Sequence, residues 1–281
     1  MTMEVRMEAL LPQEMAEKAE AAGVRKAALP FVSLFALAVL AGAFIGLGAM
    51  FATTTVAATS TLPYGVARLL FGLVFCLGLI LVVVAGAELF TGNNLIVMAW
   101  ANRKISTWAL LRNWLIVYLG NFVGSLGTAI LVFLARQYTA GSGSVGEAAL
   151  KIAVGKVNLG FVQALALGIL CNGLVCLAIW LTYSARSVAD KILAIIFPIT
   201  AFVAAGFEHS IANMYFVPYA LLIKAFDPAF VVASKVDISS LTLGSFFLKN
   251  LLPVTLGNII GGSILVAIMY WFIYLRGKKK E

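Results

Sequence analysis

One histidine and two carboxylates lie inside long apolar stretches of this sequence. The histidine is His209, which follows Glu208, and the second carboxylate is Glu88. An imidazole with an ordinary pKa of about 6.5 can hold or release a proton near physiological pH. Ionisable groups inside a membrane usually mark a functional site. His209 is therefore a candidate for hydrogen bonding to a small acid or for giving it a proton.

Other chemistries have too few candidate residues. The three cysteines (Cys76, Cys171 and Cys176) lie in apolar runs, and His209 is the only histidine. No metal site, disulfide framework or cofactor is predicted from so few ligands. Ser210 follows His209, but adjacent side chains seldom face each other and no hydrolase motif surrounds them. The protein is predicted not to be an enzyme, with an intramembrane enzyme as a remote alternative.

The composition predicts a membrane protein. Of the 281 residues, 62% are apolar and 11% are charged, and the mean hydropathy is +1.03. Soluble domains carry roughly 25% charged residues, so a water-soluble fold is excluded. In such an apolar chain we attribute the formal charge of +8 to membrane topology and to attraction of anions. Nucleic-acid binding is not predicted.

Stretches without charge predict the spans, since about 20 apolar residues cross a bilayer. Four stretches each hold one span, at 30–67, 113–135, 157–185 and 250–275. Two more, 69–102 and 192–223, are interrupted only by Glu88 and by Glu208 with His209. They are too long for one straight helix and too short for a helical pair, so each is predicted to be a broken span. Irregular backbone at membrane depth must be buried in protein or line a cavity, which places the functional centre at the two breaks.

Two pairs of similar segments predict an internal repeat. Residues 85–94 align with 205–214, and residues 113–124 align with 250–261. Each half then contains three spans, an odd number, so the second half enters the membrane from the opposite side. The predicted fold is an all-α, multi-pass membrane protein with six spans in an inverted 3+3 repeat and two broken helices. The predicted halves are 30–140 and 150–275.

The two ends of the chain are predicted to lie in the cytoplasm. Residues 1–29 form an N-terminal segment with an amphipathic helix over 10–28, and residues 276–281 form a basic tail. This assignment gives the cytoplasm 13 of the 20 basic residues, in agreement with the positive-inside rule. The outer face has seven bases and three acids, so both mouths of a pore would favour an anion. The helix is predicted to cap the membrane domain; the alternative is a gate or a docking arm for a cytoplasmic partner.

Three strings resemble the formate–nitrite transporter family: Gly86-Ala-Glu-Leu-Phe-Thr-Gly92, Gly206-Phe-Glu-His-Ser-Ile-Ala-Asn-Met214 and Asn250-Leu-Leu-Pro-Val-Thr-Leu-Gly-Asn258. The second string is most similar to the formate channel branch, and the similarity covers nearly the whole chain. The resemblance implies an aquaporin-like protomer with its own pore for formate, assembled as a homopentamer in a bacterial inner membrane. Nitrite, hydrosulfide and other short monocarboxylates stay open as alternative substrates.

The resemblance also implies roles for single residues. His209 matches the family's central histidine and Thr91 the threonine that faces it, while Asn172 and Lys156 match a pore-side asparagine and a vestibule lysine. Two apolar slits flank the histidine and are formed by Phe75, Leu79, Leu89 and Phe202. Formate channels often carry histidines directly after the vestibule lysine, where this chain has Val157-Asn158-Leu159. Additional titration in the vestibule is therefore not expected.

These residues suggest a two-stage mechanism. Dehydrating a small anion in an apolar slit costs several kcal/mol. Lys156 is predicted to concentrate the anion, and His209 with Thr91 to meet it between the slits by a hydrogen bond or by proton transfer. Glu88 and Glu208 are predicted to support the loops, as is Asn213, with the carboxylates accepting the backbone N–H groups that a helix break leaves free.

Overall fold

The computed structural model describes residues 9–59 and 61–277, and every regular element in these ranges is helical. The first eight residues and residues 278–281 of the predicted basic tail lie outside the described residues. The helices, in chain order, are α1 Pro12–Ala27, α2 Phe31–Val56, α3 Tyr64–Leu81, α4 Val97–Ala101, α5 Thr107–Leu134, α6 Ser144–Val157, α7 Phe161–Ser184, α8 Val188–Ala204, α9 Ser210–Phe226, α10 Pro228–Ser234, α11 Leu252–Ile259 and α12 Met269–Tyr274. Wider π-helical turns extend α3 through Val82–Gly86, precede α11 at Ser245–Leu251 and join it to α12 at Ile260–Ile268, and 3-10 turns occur at Gly92–Ile96 and Gln137–Thr139.

Helices of membrane-spanning length and polarity account for about half of the described residues. Five pass by length and composition: Phe31–Val56, Tyr64–Gly86, Thr107–Leu134, Phe161–Ser184 and Ser245–Tyr274. A sixth candidate combines α9 with α10, which turn by 108° where they meet. The two predicted breaks lie between Gly86 and the turn Gly92–Ile96, and between α8 and α9. The predicted all-α membrane fold with two broken helices is confirmed.

Two spans begin earlier than the charge-free stretches predicted. The last span begins at Ser245 rather than at 250 and includes Lys249, whose exposed side chain can reach water from the end of a helix. The first broken span begins at Tyr64 rather than at 69 and includes Arg68, which donates two hydrogen bonds to the end of α8. The charge-free stretches gave the wrong start for these two spans because Lys249 and Arg68 lie inside them, each near a helix end.

Helix α1 covers one end of the bundle. Its apolar face, which includes Met15, Ala19 and Ala22, is buried as predicted. The Gln13 amide donates to the carbonyl of Tyr274 at 2.8 Å, and Lys18 Nζ donates to the carbonyl of Tyr183 at 2.7 Å. These carbonyls lie at the C-terminal ends of α12 and α7, so α1 connects the ends of these two helices.

Helix α1 is also the counterpart of α6 in the internal repeat. Both helices end close to a lysine, Lys26 or Lys156, that binds the glutamate of the nearest break. The sequence carries the signal as Lys-x-x-Leu-x-Phe-Val at 26–32 and again at 156–162. The predicted boundary at 29/30 separates α1 from its half, and the boundary at 150 cuts α6, which begins at Ser144. Grouping each amphipathic helix with the three spans after it keeps both helices whole.

Glycines allow the spans next to the breaks to pack closely. A Cβ atom on Gly124 of α5 would lie 1.9 Å from the carbonyl oxygen of Val39 in α2. In the second half, a Cβ atom on Gly261 would lie 2.1 Å from the carbonyl oxygen of Ile169 in α7. No side chain fits at either contact, so the two helix pairs depend on glycine there. Gly127, by contrast, faces open space.

We expect Gly124→Ala to destabilise the protein, because α2 and α5 must separate to admit the methyl group. Overpacking of this kind costs about 1–3 kcal/mol. The measurement is the midpoint of thermal unfolding in detergent, with Gly127→Ala as the matched control on the same helix. Equal midpoints for the two variants would contradict the packing assignment.

Candidate transport site

The two breaks have the same backbone geometry. Each begins with a glycine in the left-handed region, Gly86 with a φ of 82° and Gly206 with a φ of 79°, a conformation that favours glycine. The next N–H donates back to a carbonyl five residues earlier, from Ala87 to Val82 and from Phe207 to Phe202, each at 2.9 Å. Both turns therefore place a glutamate two residues after the glycine.

Two buried asparagines satisfy the backbone at the breaks. Asn258 Oδ1 accepts the N–H of Ser210 at 2.9 Å, and its Nδ2 donates to the carbonyls of Gly168 and Glu208, both at 2.9 Å. Asn121 makes the equivalent three bonds in the first half, with Phe90 N at 2.8 Å, Ala38 O at 2.7 Å and Glu88 O at 2.9 Å. Buried polar groups without partners are costly, so these side chains hold both loops.

Sequence reasoning missed Asn121 and Asn258 as site residues. Both occur in the aligned segments 113–124 and 250–261, where they served only to detect the repeat. An asparagine inside an apolar span, at matching positions of both halves, was the available signal. The groups that these asparagines bind lie on other helices, which a local pattern does not reveal.

The two carboxylates bind side chains rather than backbone. Glu208 Oε1 accepts from Lys156 Nζ at 2.8 Å, and Oε2 accepts from Asn213 at 2.7 Å and Asn250 at 3.2 Å. In the first half, Glu88 accepts from Lys26 Nζ at 2.6 Å and from Asn93 at 2.8 Å. The prediction that these carboxylates accept freed N–H groups was wrong, since the freed groups of Phe90 and Ser210 already bind Asn121 and Asn258. Loop support by Glu88, Glu208 and Asn213 stays a prediction.

The pairing with Glu208 changes what Lys156 offers an anion. Its ammonium group is 2.8 Å from a carboxylate oxygen and 5.3 Å from the ring centre of Phe216. The charge of the lysine is therefore balanced by its neighbour, and the attraction expected of a free vestibule lysine is reduced. Lys26 is paired in the same way with Glu88 and was not predicted as a site residue.

His209 and Thr91 meet where the two breaks come together. Thr91 Oγ1 lies 3.0 Å from His209 Nε2, and both side chains are buried. His209 also caps α9, because its Nδ1 accepts the N–H of Ala212 at 3.1 Å. With Nδ1 accepting, a neutral imidazole carries its proton on Nε2 and donates to the threonine hydroxyl. At the equivalent position of the first break, one residue after the glutamate, lies Leu89.

Aromatic rings pack beside the histidine. The rings of Phe75 and Phe202 meet edge to face with their centres 6.0 Å apart, and the ring of Phe202 lies 6.0 Å from the imidazole. All four residues predicted to form the slits are buried, namely Phe75, Leu79, Leu89 and Phe202. Their role as constrictions stays a prediction.

Two cavities approach these side chains. The histidine cavity, of about 250 Å³, is bounded by Phe75, Phe202 and His209, and its cations are Arg68, Lys151 and Lys156. The leucine cavity, of about 550 Å³, is bounded by Glu88 and Leu89, and its cations are Lys18, Arg25, Lys26 and Lys191. Both cavities are thus rich in positive charge and end at buried apolar residues.

Asn172 lines neither cavity. Its Nδ2 donates to the carbonyl of Thr91 at 3.2 Å, to Asn94 Oδ1 at 2.8 Å and to the carbonyl of Asn258 at 2.7 Å. The side chain is fully buried and connects the first break to α11. Its geometry is that of a residue that positions Thr91, and its predicted contact with a substrate stays a prediction.

Known proteins are similar along almost the whole chain. Residues 13–272 match the family model described as formate/nitrite transporter. The formate channel FocA of Escherichia coli K12 is 47% identical over 271 residues, which are 95% of each chain. FocA of Haemophilus influenzae is 42% identical over 270 residues, 94% of this chain and 95% of its own. A solved structure, a pentameric formate channel with formate bound, matches with a TM-score of 0.81 at 43% identity, covering 88% of this chain and 98% of the other.

We expect Asn258→Leu to destabilise the second break, because leucine has a similar size but removes the partner of the Ser210 N–H and of the Glu208 carbonyl. Each buried orphan group costs about 1–3 kcal/mol. The midpoint of thermal unfolding in detergent should fall well below that of Asn158→Leu, a control at an exposed asparagine after α6. If the two variants unfold at the same temperature, Asn258 does not hold the loop.

Proposed function

The chain belongs to the formate/nitrite transporter family, and we propose that it is a channel, not an enzyme, that carries formate through a pore of its own. The observation that carries this proposal is the buried contact between Thr91 and His209, at 3.0 Å, between two cavities rich in cations. Relatives at 47% and 42% identity are both named formate channels, which supports formate over nitrite, hydrosulfide and other short monocarboxylates.

The proposed path joins the two cavities. From the histidine cavity, formate passes Phe75 and Phe202, reaches His209 and Thr91, and leaves past Leu79 and Leu89 into the leucine cavity. The apolar side chains exclude water, so the anion loses hydration that is worth several kcal/mol. The Nε2–H group of His209 and the hydroxyl of Thr91 offset part of this loss by hydrogen bonding.

The hydrogen bonds of His209 separate its two candidate roles. A neutral imidazole can donate from Nε2 to a formate oxygen while Ala212 N–H stays bound to Nδ1. Giving a proton to formate requires the imidazolium form, in which Nδ1 also carries a proton and the bond from Ala212 is lost. Hydrogen bonding therefore requires only that Nε2–H exchange Thr91 for formate, whereas proton transfer is also coupled to loosening of the first turn of α9.

The relatives and the charge distribution support a proposed assembly and location. The solved relative is a pentamer, which supports a homopentamer in which each chain has its own pore. Relatives from Escherichia coli and Haemophilus influenzae support a bacterial inner membrane. In the six-span topology, the side of the membrane that holds both termini carries 13 of the 20 basic residues. The positive-inside rule assigns that side to the cytoplasm, which supports an N-in, C-in topology. A cytoplasmic partner would bind the exposed side of α1, at Glu17, Ala21 and Arg25.

The purified protein in liposomes should carry formate faster than acetate or lactate, because the rings of Phe75 and Phe202 are in contact and the smallest acid requires them to move least. Fluxes of formate, nitrite, hydrosulfide, acetate and lactate are compared at two pH values, with and without a proton gradient. Faster flux of nitrite or hydrosulfide would reassign the substrate within the family. Absence of flux for every anion would reject the channel.

His209→Asn should abolish the pH dependence of formate flux between pH 5 and 8, because it removes the only imidazole. Asparagine is a good helix N-cap, so the start of α9 is retained. Initial rates in liposomes at several pH values measure the effect, and Thr91→Ser, which keeps a hydroxyl, is the control that should preserve the pH dependence. A pH dependence that survives in His209→Asn would contradict the proposed role.

A further inference from the structure

Arg68 differs from the other cations of the histidine cavity in its partners. Lys156 is paired with Glu208, and Lys151 is paired with Glu147. Arg68 donates from Nε to the carbonyl of Ala204 at 2.8 Å and from Nη2 to that of Val203 at 2.6 Å. Among the described residues, no carboxylate forms an ion pair with it. Its full positive charge therefore remains available to a ligand in this cavity.

The position of Arg68 suits a small carboxylate. The carbonyls that it covers form the end of α8, where the helix dipole is negative and would repel an anion. Its guanidinium also lies 5.4 Å from the ring centre of Phe71, which stacks on Phe216 at 6.3 Å. The group is thus held in place by contacts on two sides. In the described contacts, Nη1 donates to no protein acceptor, so that its hydrogens stay available.

We infer that Arg68 binds the incoming anion in the histidine cavity, before the anion passes Phe75 and Phe202. Guanidinium groups present parallel N–H donors that match a carboxylate, and this charge-assisted pairing is stronger than a neutral hydrogen bond. In the second half of the repeat, the position equivalent to Arg68, 120 residues later in the chain, is occupied by Val188. The site therefore occurs once, on one side of His209. This inference rests on the proposed transport of formate.

The test measures formate flux into liposomes over a range of formate concentrations. Arg68→Gln removes the charge, Arg68→Lys keeps it, and Lys151→Gln removes a charge that is already paired on the same cavity wall. Arg68→Gln should raise KM about five- to tenfold with Vmax nearly unchanged, because it loses a charge-assisted contact to the anion. Lys151→Gln should keep KM within about twofold of the wild type, since an exposed, paired charge contributes little. Arg68→Lys keeps the charge but loses the parallel donors, so its KM should lie between those of the wild type and Arg68→Gln. Raising the ionic strength should raise KM of the wild type more than that of Arg68→Gln.

Three results would overturn the inference. An unchanged KM in Arg68→Gln would show that the anion does not bind this side chain. Equal losses of Vmax in Arg68→Gln and Arg68→Lys, with KM unchanged, would limit Arg68 to anchoring the end of α8. A KM in Lys151→Gln as high as in Arg68→Gln would assign the effect to overall charge. A wild-type protein that carries no formate would instead count against the proposed function.

Discussion

The structure depends on satisfying the backbone of two interrupted helices inside a membrane. In lipid no water replaces the lost helical hydrogen bonds, and each unpaired N–H or carbonyl costs several kcal/mol. Asn121 and Asn258 supply three bonds each, and they do so from neighbouring spans. The close contacts at Gly124 and Gly261 bring those spans near enough for the asparagines to reach the breaks. Close helix packing is therefore needed for the asparagines to form hydrogen bonds with the backbone of the breaks.

Charge balance is the second constraint. Two glutamates beside the path of an anion would repel it, yet one lies at each of the two turns. Lys26 and Lys156 neutralise them at 2.6 and 2.8 Å and leave two nearly neutral clusters, one in each half. Attraction for the anion must then come from cations that have no such partner, while the buried rings of Phe75 and Phe202 are proposed to keep water out of the centre. Loop support and anion recruitment are thereby assigned to different residues.

The sequence predicted elements better than contacts. The two broken spans followed from segment length and from Glu88 and Glu208, and the meeting of Thr91 with His209 followed from family resemblance. The pairing of Lys26 and the bonds of Asn121 and Asn258 were missed. Equivalent residues are offset by 120, 130 or 137 positions because the connecting loops differ in length. Local patterns identify a helix, but not which distant side chain receives a freed N–H group.

The two halves have different side chains after the glutamate of each break, an apolar Leu89 in the first half and an ionisable His209 in the second. If both positions were histidines, two anions could occupy the centre together, and their mutual repulsion would help each other to leave, as in multi-ion pores. With leucine at one of them, the path holds a single polar position between the slits. A pore that follows the proposed path would therefore hold one ion at a time, and its rate would be set by how quickly that ion leaves.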